Sequence, residues 1–263
     1  MELIVVKVGG SVITQKASNV PSVNFKNLEL VAEQLAAYSK ENADTRIIFV
    51  HGVGSYGHPI VKQSGIDKGI SDSRQLLAFA QTQKLQNELD CIVVGALHKK
   101  GIPAMPCQLS DHAIMEKGRI ISLDLGAISG MLKIGLVPTC YGVPAYDIAQ
   151  GCSILSGDQI APYLARHLKA SRIIEACDVG GIYTQDPKTY PDAKLIKEIN
   201  INNRQEIEQG LSGSCAIDVT GGMRQKYLEL LSIAKLGIAC QIISYQDIRR
   251  SLEGEKAGTM ISL

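Results

Sequence analysis

Hydrophobic and polar positions follow two alternating rhythms along this chain. Leu3–Val8 is β-branched and apolar on both faces, which predicts a strand buried in a parallel sheet, and Gly9-Gly10 ends it. Leu28, Val31, Leu35 and Tyr38 then recur at helical spacing behind Asn24, a residue whose side chain caps helix N-termini, so a helix begins near Phe25. Arg46–Val50 reads as a second buried strand, again ending at glycines. Ser73 to about Lys99 predicts a long helix with Leu76, Ala80, Leu85, Leu89, Ile92 and Ala96 broadly on one side. Ile102–Met105 is a short strand, Asp124–Lys133 a helix and Leu136–Tyr141 a strand. Tyr141–Ile154 predicts a hairpin with turns around Gly142 and Gly151.

The second half keeps the rhythm. Ser156-Gly157-Asp158-Gln159 has the spacing of a capping box, and the helix behind it buries Ile160, Leu164 and Leu168. Arg172–Ala176 is a strand and Leu195–Ile199 a short edge strand. Gly222–Leu236 is a helix with Met223, Tyr227, Leu230 and Ala234 facing inward and Gly237 placed to end it. Ile238–Ile243 and Thr259–Ser262 close the series as strands. Strands alternating with helices predict an α/β fold, a mostly parallel sheet covered on both faces. There is no internal repeat and no Pro/Ser-rich linker. Composition does not shift across the loop Thr184–Asp192, so one continuous sheet is expected.

Charge narrows the function. The chain has 263 residues with 27 Lys plus Arg against 26 Asp plus Glu, a formal net charge of +1. That balance argues against a protein held mainly by nucleic acid or an anionic membrane, but leaves room for a local anion site. The seven cysteines are scattered with no C-x-x-C pair, as expected of reduced packing residues in the cytoplasm. Glu2 and Lys7 interrupt the N-terminal apolar run, which therefore reads as neither a signal nor a transit peptide. No apolar run approaches the roughly 18 residues that span a bilayer.

The 25 glycines are the unusual feature. They cluster where predicted strands end: Gly9-Gly10; the stretch His51-Gly52-Val53-Gly54-Ser55-Tyr56-Gly57-His58; Gly157; Gly180-Gly181; and Gly221-Gly222. Ligands bind outside the carboxyl ends of strands in open α/β sheets. Glycine lets backbone N–H groups approach an anion, and helix N-termini add unpaired donors, so several such loops together suggest a polyphosphate. The G-x-x-x-x-G-K-[ST] and G-x-G-x-x-G patterns are both missing, which excludes a P-loop and disfavours a dinucleotide fold. Lys7 breaks an apolar strand just before the glycines. A buried lysine needs a counter-charge, and a bound phosphate would supply one.

These motifs resemble the amino acid kinase superfamily, and within it the archaeal-type isopentenyl phosphate kinases, over nearly the whole chain. The resemblance is carried by Lys7-Val8-Gly9-Gly10-Ser11-Val12-Ile13-Thr14 with Lys16, His51 to Pro59, Ile154-Leu155-Ser156-Gly157-Asp158-Gln159, Asp178 to Thr184 with Asp186-Pro187, and Asp218 to Met223 with Lys226. It implies an open αβα sandwich and ATP-dependent phosphorylation of isopentenyl phosphate to the diphosphate. It also implies Mg²⁺ carried with ATP and a homodimer. Residues 1–263 would form one kinase domain, with an acceptor-binding lobe to about residue 170 and a nucleotide-binding lobe from about residue 171. Lys7, Gly9, Gly10 and Ser11, with Gly54, would contact the ATP phosphates; Asp178, Tyr183, Gly222 and Lys226 would serve the nucleotide side. Gly52, Val53, His58 and Gly157 would contact the acceptor phosphate. The expected catalytic groups are Lys7, Lys226, His58 and Lys16, with Asp158 orienting Lys7. No residue is expected to ligate a metal directly. His58 marks members whose acceptor is a phosphate or phosphonate. Where relatives commonly carry an aspartate, this chain has Val143 and Gly180.

Three other functions fit the same motifs less well. A kinase for another phospho-acceptor, such as fosfomycin, would need a tight polar acceptor pocket. A carboxylate-directed amino-acid kinase is disfavoured by His58, and a non-catalytic nucleotide-binding protein by Lys7, His58 and Lys226 together.

Overall fold

The computed structural model describes residues 2–15, 20–212 and 221–263. Through the first half the elements are β1 (Leu3–Val8), α1 (Gly10–Ile13), α2 (Phe25–Glu41), β2 (Arg46–His51), α3 (His58–Ser64), α4 (Ser73–Lys99), β3 (Ala104–Cys107), β4 (Ala113–Glu116), β5 (Arg119–Leu123) and α5 (Gly126–Ile134). They continue with β6 (Val137–Tyr141), β7 (Val143–Asp147), β8 (Gly151–Leu155), α6 (Gly157–Leu168), β9 (Arg172–Cys177), β10 (Glu198–Ile199), α7 (Arg204–Ser212), α8 (Gly221–Ala234), β11 (Ala239–Ser244), α9 (Ile248–Leu252) and β12 (Thr259–Ile261).

Among the described residues, eight strands form one sheet in the order β10-β12-β11-β9-β1-β2-β6-β3. Neighbours from β11 to β3 run parallel, and β12 turns back antiparallel to β11. Side chains alternate across a strand, so β1 serves both faces. Ile4, Val6 and Val8 join a core with α2, α4 and α9, including Leu28, Val31 and Leu35. Val5 lies in the opposite core with Ile160 and Leu164 of α6 and Leu230 of α8. The result is an open αβα sandwich with a mostly parallel sheet.

The expectation of one continuous sheet is corrected. A second sheet, ordered β5-β4-β7-β8, stands beside the first. After β6 the chain turns at Gly142, and Val143 pairs with Leu155 of β8 instead of with the large sheet. The β4–β5 hairpin was not predicted. Its two turn residues, Lys117 (φ +48°) and Gly118 (φ +78°), both adopt left-handed backbone, as a two-residue hairpin demands. The buried Asp147 carboxylate holds that turn, accepting from the Lys117 and Gly118 N–H groups at 3.1 and 2.8 Å and from Ser153 Oγ at 2.6 Å.

Two smaller readings also change. Ser156 stands at the N-terminus of α6, but its side chain makes no cap: the Gln159 N–H donates to Ser156 O at 3.0 Å, and the Gln159 side-chain amide donates to Gly118 O at 3.0 Å. Helix α4 has the expected limits, yet it buries Thr82, Gln86, Leu89, Asp90, Val93, Val94 and Leu97 and leaves Leu76 and Leu77 exposed. Its N-terminus is fixed by a reciprocal Asp72–Gln75 capping box. Asn24 caps α2 as predicted, accepting from Asn27 N at 3.2 Å. The third strand sits two residues later than expected, at Ala104–Cys107.

Candidate active site

Lys7 follows Val5 on the same face of β1, toward α6 and α8. Its register partner in β9 is Glu175, which shares that face with Ile173 and Cys177. Asp158 stands in the first turn of α6, and Lys226 lies in the second turn of α8. The four side chains close a ring. Lys7 Nζ pairs with Asp158 Oδ1 and lies 3.3 Å from Glu175 Oε2. Lys226 Nζ lies 2.6 Å from the same Asp158 oxygen and 2.7 Å from the same Glu175 oxygen. Lys7 is 4% exposed, Lys226 7% and Glu175 0%.

The ring changes the expectation that a bound phosphate would supply the counter-charge of Lys7, since Asp158 and Glu175 already supply it. Burial would raise the Asp158 carboxyl, but Lys7 and Lys226 outweigh it and hold the group well below the usual carboxylate range. Burial would likewise lower the Lys226 ammonium, but Glu175, Cys177 and Asp158 hold it well above its ordinary value. Both groups are therefore charged at neutral pH.

The first two glycine loops lock together above the ring. A Cβ on Gly10 would lie 2.4 Å from Gly54 N, and Gly54 itself has φ +47° with Thr14 Oγ1 directly over it. The Thr14 hydroxyl donates to Gly10 O at 2.8 Å and accepts from Ser55 N at 3.2 Å. At these positions glycine is required by the approach of one backbone to another, whatever ligand follows.

A cavity of about 840 Å³ opens over the ring. Lys7, Gly9, Gly10, Ser11, Gly54 and Asp158 line it, together with Asp178, Tyr183, Gly222 and Lys226. His58 is exposed at the start of α3 and also lines the cavity. Of the predicted acceptor residues, Gly52, Val53 and Gly157 fall outside this lining. Gly157 packs behind the ring, where its Cβ would meet Lys7 Cε at 3.5 Å, and Val53 is buried near Gly142. Lys16 and the segment Asp218–Thr220 lie outside the described residues.

Sequence reasoning missed Glu175, although an acid inside the apolar strand Arg172–Cys177 was a usable signal. It also missed Lys188, which pairs with Asp178 at 2.6 Å and lines the cavity. His51 is fully buried, with Nε2 3.1 Å from Asp90 Oδ1 and its ring stacked on Tyr141. It belongs to the core beneath the loop.

The donor set does not suit a protein-held metal. Among the described residues no group of three or more His, Cys, Asp or Glu side chains is arranged to hold one. The Asp158 oxygen that faces the lysines is engaged twice, and Glu175 is sealed from water, whereas Mg²⁺ keeps several waters.

A family model described as the amino acid kinase family matches residues 2–244. The chain belongs to the amino acid kinase family. Within that family it is 36% identical to an isopentenyl phosphate kinase of Methanothermobacter thermautotrophicus, over 99% of each chain. It is 35% identical to one of Methanocaldococcus jannaschii over 98% of each. A crystal structure of an isopentenyl phosphate kinase superposes with a TM-score of 0.85 at 34% identity, covering 99% of this chain and 100% of the other. This member of the amino acid kinase family thus matches those relatives end to end.

Proposed function

We propose that the chain transfers the γ-phosphoryl group of ATP to isopentenyl phosphate, giving isopentenyl diphosphate and ADP. The observation that carries this reading is the pair of buried lysines, delivered from β1 and α8 to one point at the floor of a glycine-lined cavity with His58 on its wall. Isopentenyl phosphate as the acceptor is supported by full-length similarity to enzymes of that name.

The acceptor needs no general base. A phosphate monoester has a second pKa near ~6 and is mostly a dianion at neutral pH. One of its oxygens forms the new bond to the γ-phosphorus while the bond to the β–γ bridging oxygen breaks, leaving ADP. Such transfers depend on positioning and charge neutralisation. Lys7 and Lys226 neutralise the migrating group from two sides, and Asp158 fixes both ammoniums. His58 donates a hydrogen bond to the acceptor phosphate, while Gly52, Val53 and Gly157, outside the cavity lining, back the acceptor side from beneath. The backbone of Gly9, Gly10, Ser11 and Gly54 faces the nucleotide phosphates, with Lys16 as a further contact. Asp178, Tyr183 and Gly222 complete the nucleotide side. The nucleotide phosphates would carry their own Mg²⁺, which would supply further charge neutralisation there.

Residues 1 to about 170 serve the acceptor and those from about 171 the nucleotide, within one kinase domain. On the same family ground the chain acts as a homodimer in the cytoplasm, with neither nucleic acid nor membrane as partner. No helix among the described residues is long and apolar enough to cross a membrane.

The test is a coupled ADP-release assay with four acceptors: isopentenyl phosphate, dimethylallyl phosphate, fosfomycin and acetylglutamate. Sustained ADP release with the isoprenoid phosphates alone is expected. Inactivity with both of them would overturn the reading.

A further inference from the structure

One member of the ring has no role in the reaction above. Glu175 occupies a position in β9 whose neighbours on the same face, Ile173 and Cys177, are core residues. The strand's pattern calls for an aliphatic side chain there. Instead the chain buries a carboxylate completely, with Oε2 on the two lysines and Oε1 without a hydrogen-bond partner among the described residues. A sealed carboxylate with one unsatisfied oxygen destabilises a fold, so packing does not explain it. Lysine alignment does not require it either, because Asp158 already bridges both ammoniums. Glu175 adds the second negative charge. With it, two ammoniums face two carboxylates and the ring is formally neutral.

We infer that Glu175 is a charge-balancing residue that limits how tightly the site holds nucleotide, above all the ADP product. The inference rests on the kinase reading. In the absence of nucleotide, Asp158 and Glu175 satisfy the lysines. Incoming phosphates compete with them for the same Nζ hydrogens and are held against two fixed negative charges. After transfer, Glu175 reclaims Lys7 and Lys226 and assists departure of the anion. Neutralising Glu175 leaves one uncompensated positive charge in a poorly solvated pocket, which anions then fill more tightly and leave more slowly.

The experiment uses full-length Glu175→Gln, purified with and without ADP, and measures ADP affinity by calorimetry, thermal unfolding with and without ADP, and single- against multiple-turnover rates. ADP is expected to bind about tenfold more tightly than to the wild type and to raise the Tm further. Multiple-turnover kcat is expected to fall while the single-turnover rate stays within about threefold, as slow product release requires. Glu175→Asp, which restores the charge, returns ADP affinity to near the wild-type value. Glu175→Leu removes the same charge in an aliphatic form and replaces the Gln variant if that one does not fold. Failure of both to fold even with ADP present contradicts the inference, since ADP supplies the missing counter-charge. Unchanged or weaker ADP binding by a folded neutral variant overturns the inference alone, as does an Asp variant that behaves like the Gln variant. A wild-type protein that binds no ADP overturns the kinase reading and the inference with it.

Discussion

Gly10 and Gly9 are adjacent in the chain, yet substituting them tests different things. A Cβ on Gly10 would lie 2.4 Å from Gly54 N, 2.9 Å from Gly54 Cα and 3.0 Å from Val53 N. All three are backbone atoms, so no rotamer change relieves the contact. Ordinary van der Waals contact begins near 3.4 Å, and Gly10→Ala must therefore part the two loops by about 1 Å. Strain of that kind destabilises by about 1–3 kcal/mol. A 1 Å misplacement of reacting groups lowers turnover by about 10²-fold, or roughly 2.7 kcal/mol in the barrier. At Gly9 the nearest atoms to an added Cβ are Ala176 O at 3.6 Å and Ser11 Oγ at 3.7 Å, and φ −62°, ψ 143° suits any residue. Gly9→Ala therefore keeps the wild-type Tm and raises only the KM for ATP, because its methyl stands where a phosphate approaches the backbone. Thermal unfolding and steady-state kinetics with each substrate varied measure both effects. A Gly10→Ala protein with wild-type Tm and kcat would refute the loop-locking argument, and an unchanged KM in Gly9→Ala would remove Gly9 from the phosphate site.

Asp147→Asn is expected to destabilise the protein by about 2 kcal/mol, because one oxygen of a buried carboxylate becomes an amide facing N–H donors; denaturant unfolding at neutral pH measures it. The stability difference also depends on pH. Burial would raise the Asp147 carboxyl, but the Gly118 N–H, the Ser153 hydroxyl and the Ala149 and Lys117 N–H groups outweigh it and bring the pKa down to about 2. A lowered folded-state pKa stabilises above the unfolded value near 3.8 and ceases to do so as pH falls toward 2, so the wild-type advantage is expected to shrink across that window in acid titrations of both proteins. A difference that stays constant down to pH 2 would contradict this.

Much of the fold was legible because buried parallel strands announce themselves on both faces. Leu3–Val8 needed no context, and Asn24 marked its helix start. What the pattern missed was decided by tertiary partners. The β4–β5 hairpin turns on Lys117-Gly118, a weak local signal, and is fixed by Asp147 some thirty residues away. Helix α4 buries Thr82, Gln86 and Asp90, which an apolar count along the helix reads as its outer face. Ser156 had the right spacing for a capping box, but Gln159 is drawn to Gly118. The site was half legible. Lys7 stood out as a cation inside an apolar strand, and the glycine loops converge as their strand-end positions suggested. The counter-charge did not stand out, because only the β1–β9 register sets Glu175 beside Lys7.

The central claim is that Lys7 and Lys226, held by Asp158, carry phosphoryl transfer to isopentenyl phosphate. Its most direct measurement is ³¹P NMR of isopentenyl phosphate and Mg·ATP incubated with the wild type and with Lys7→Ala, each first shown to be folded by circular dichroism. The wild type is expected to convert the single phosphomonoester resonance into the coupled pair of a diphosphate as ADP accumulates, and Lys7→Ala to do so about 10³-fold more slowly. A wild type that forms no diphosphate, or a Lys7→Ala protein that turns over within threefold of it, would contradict the account.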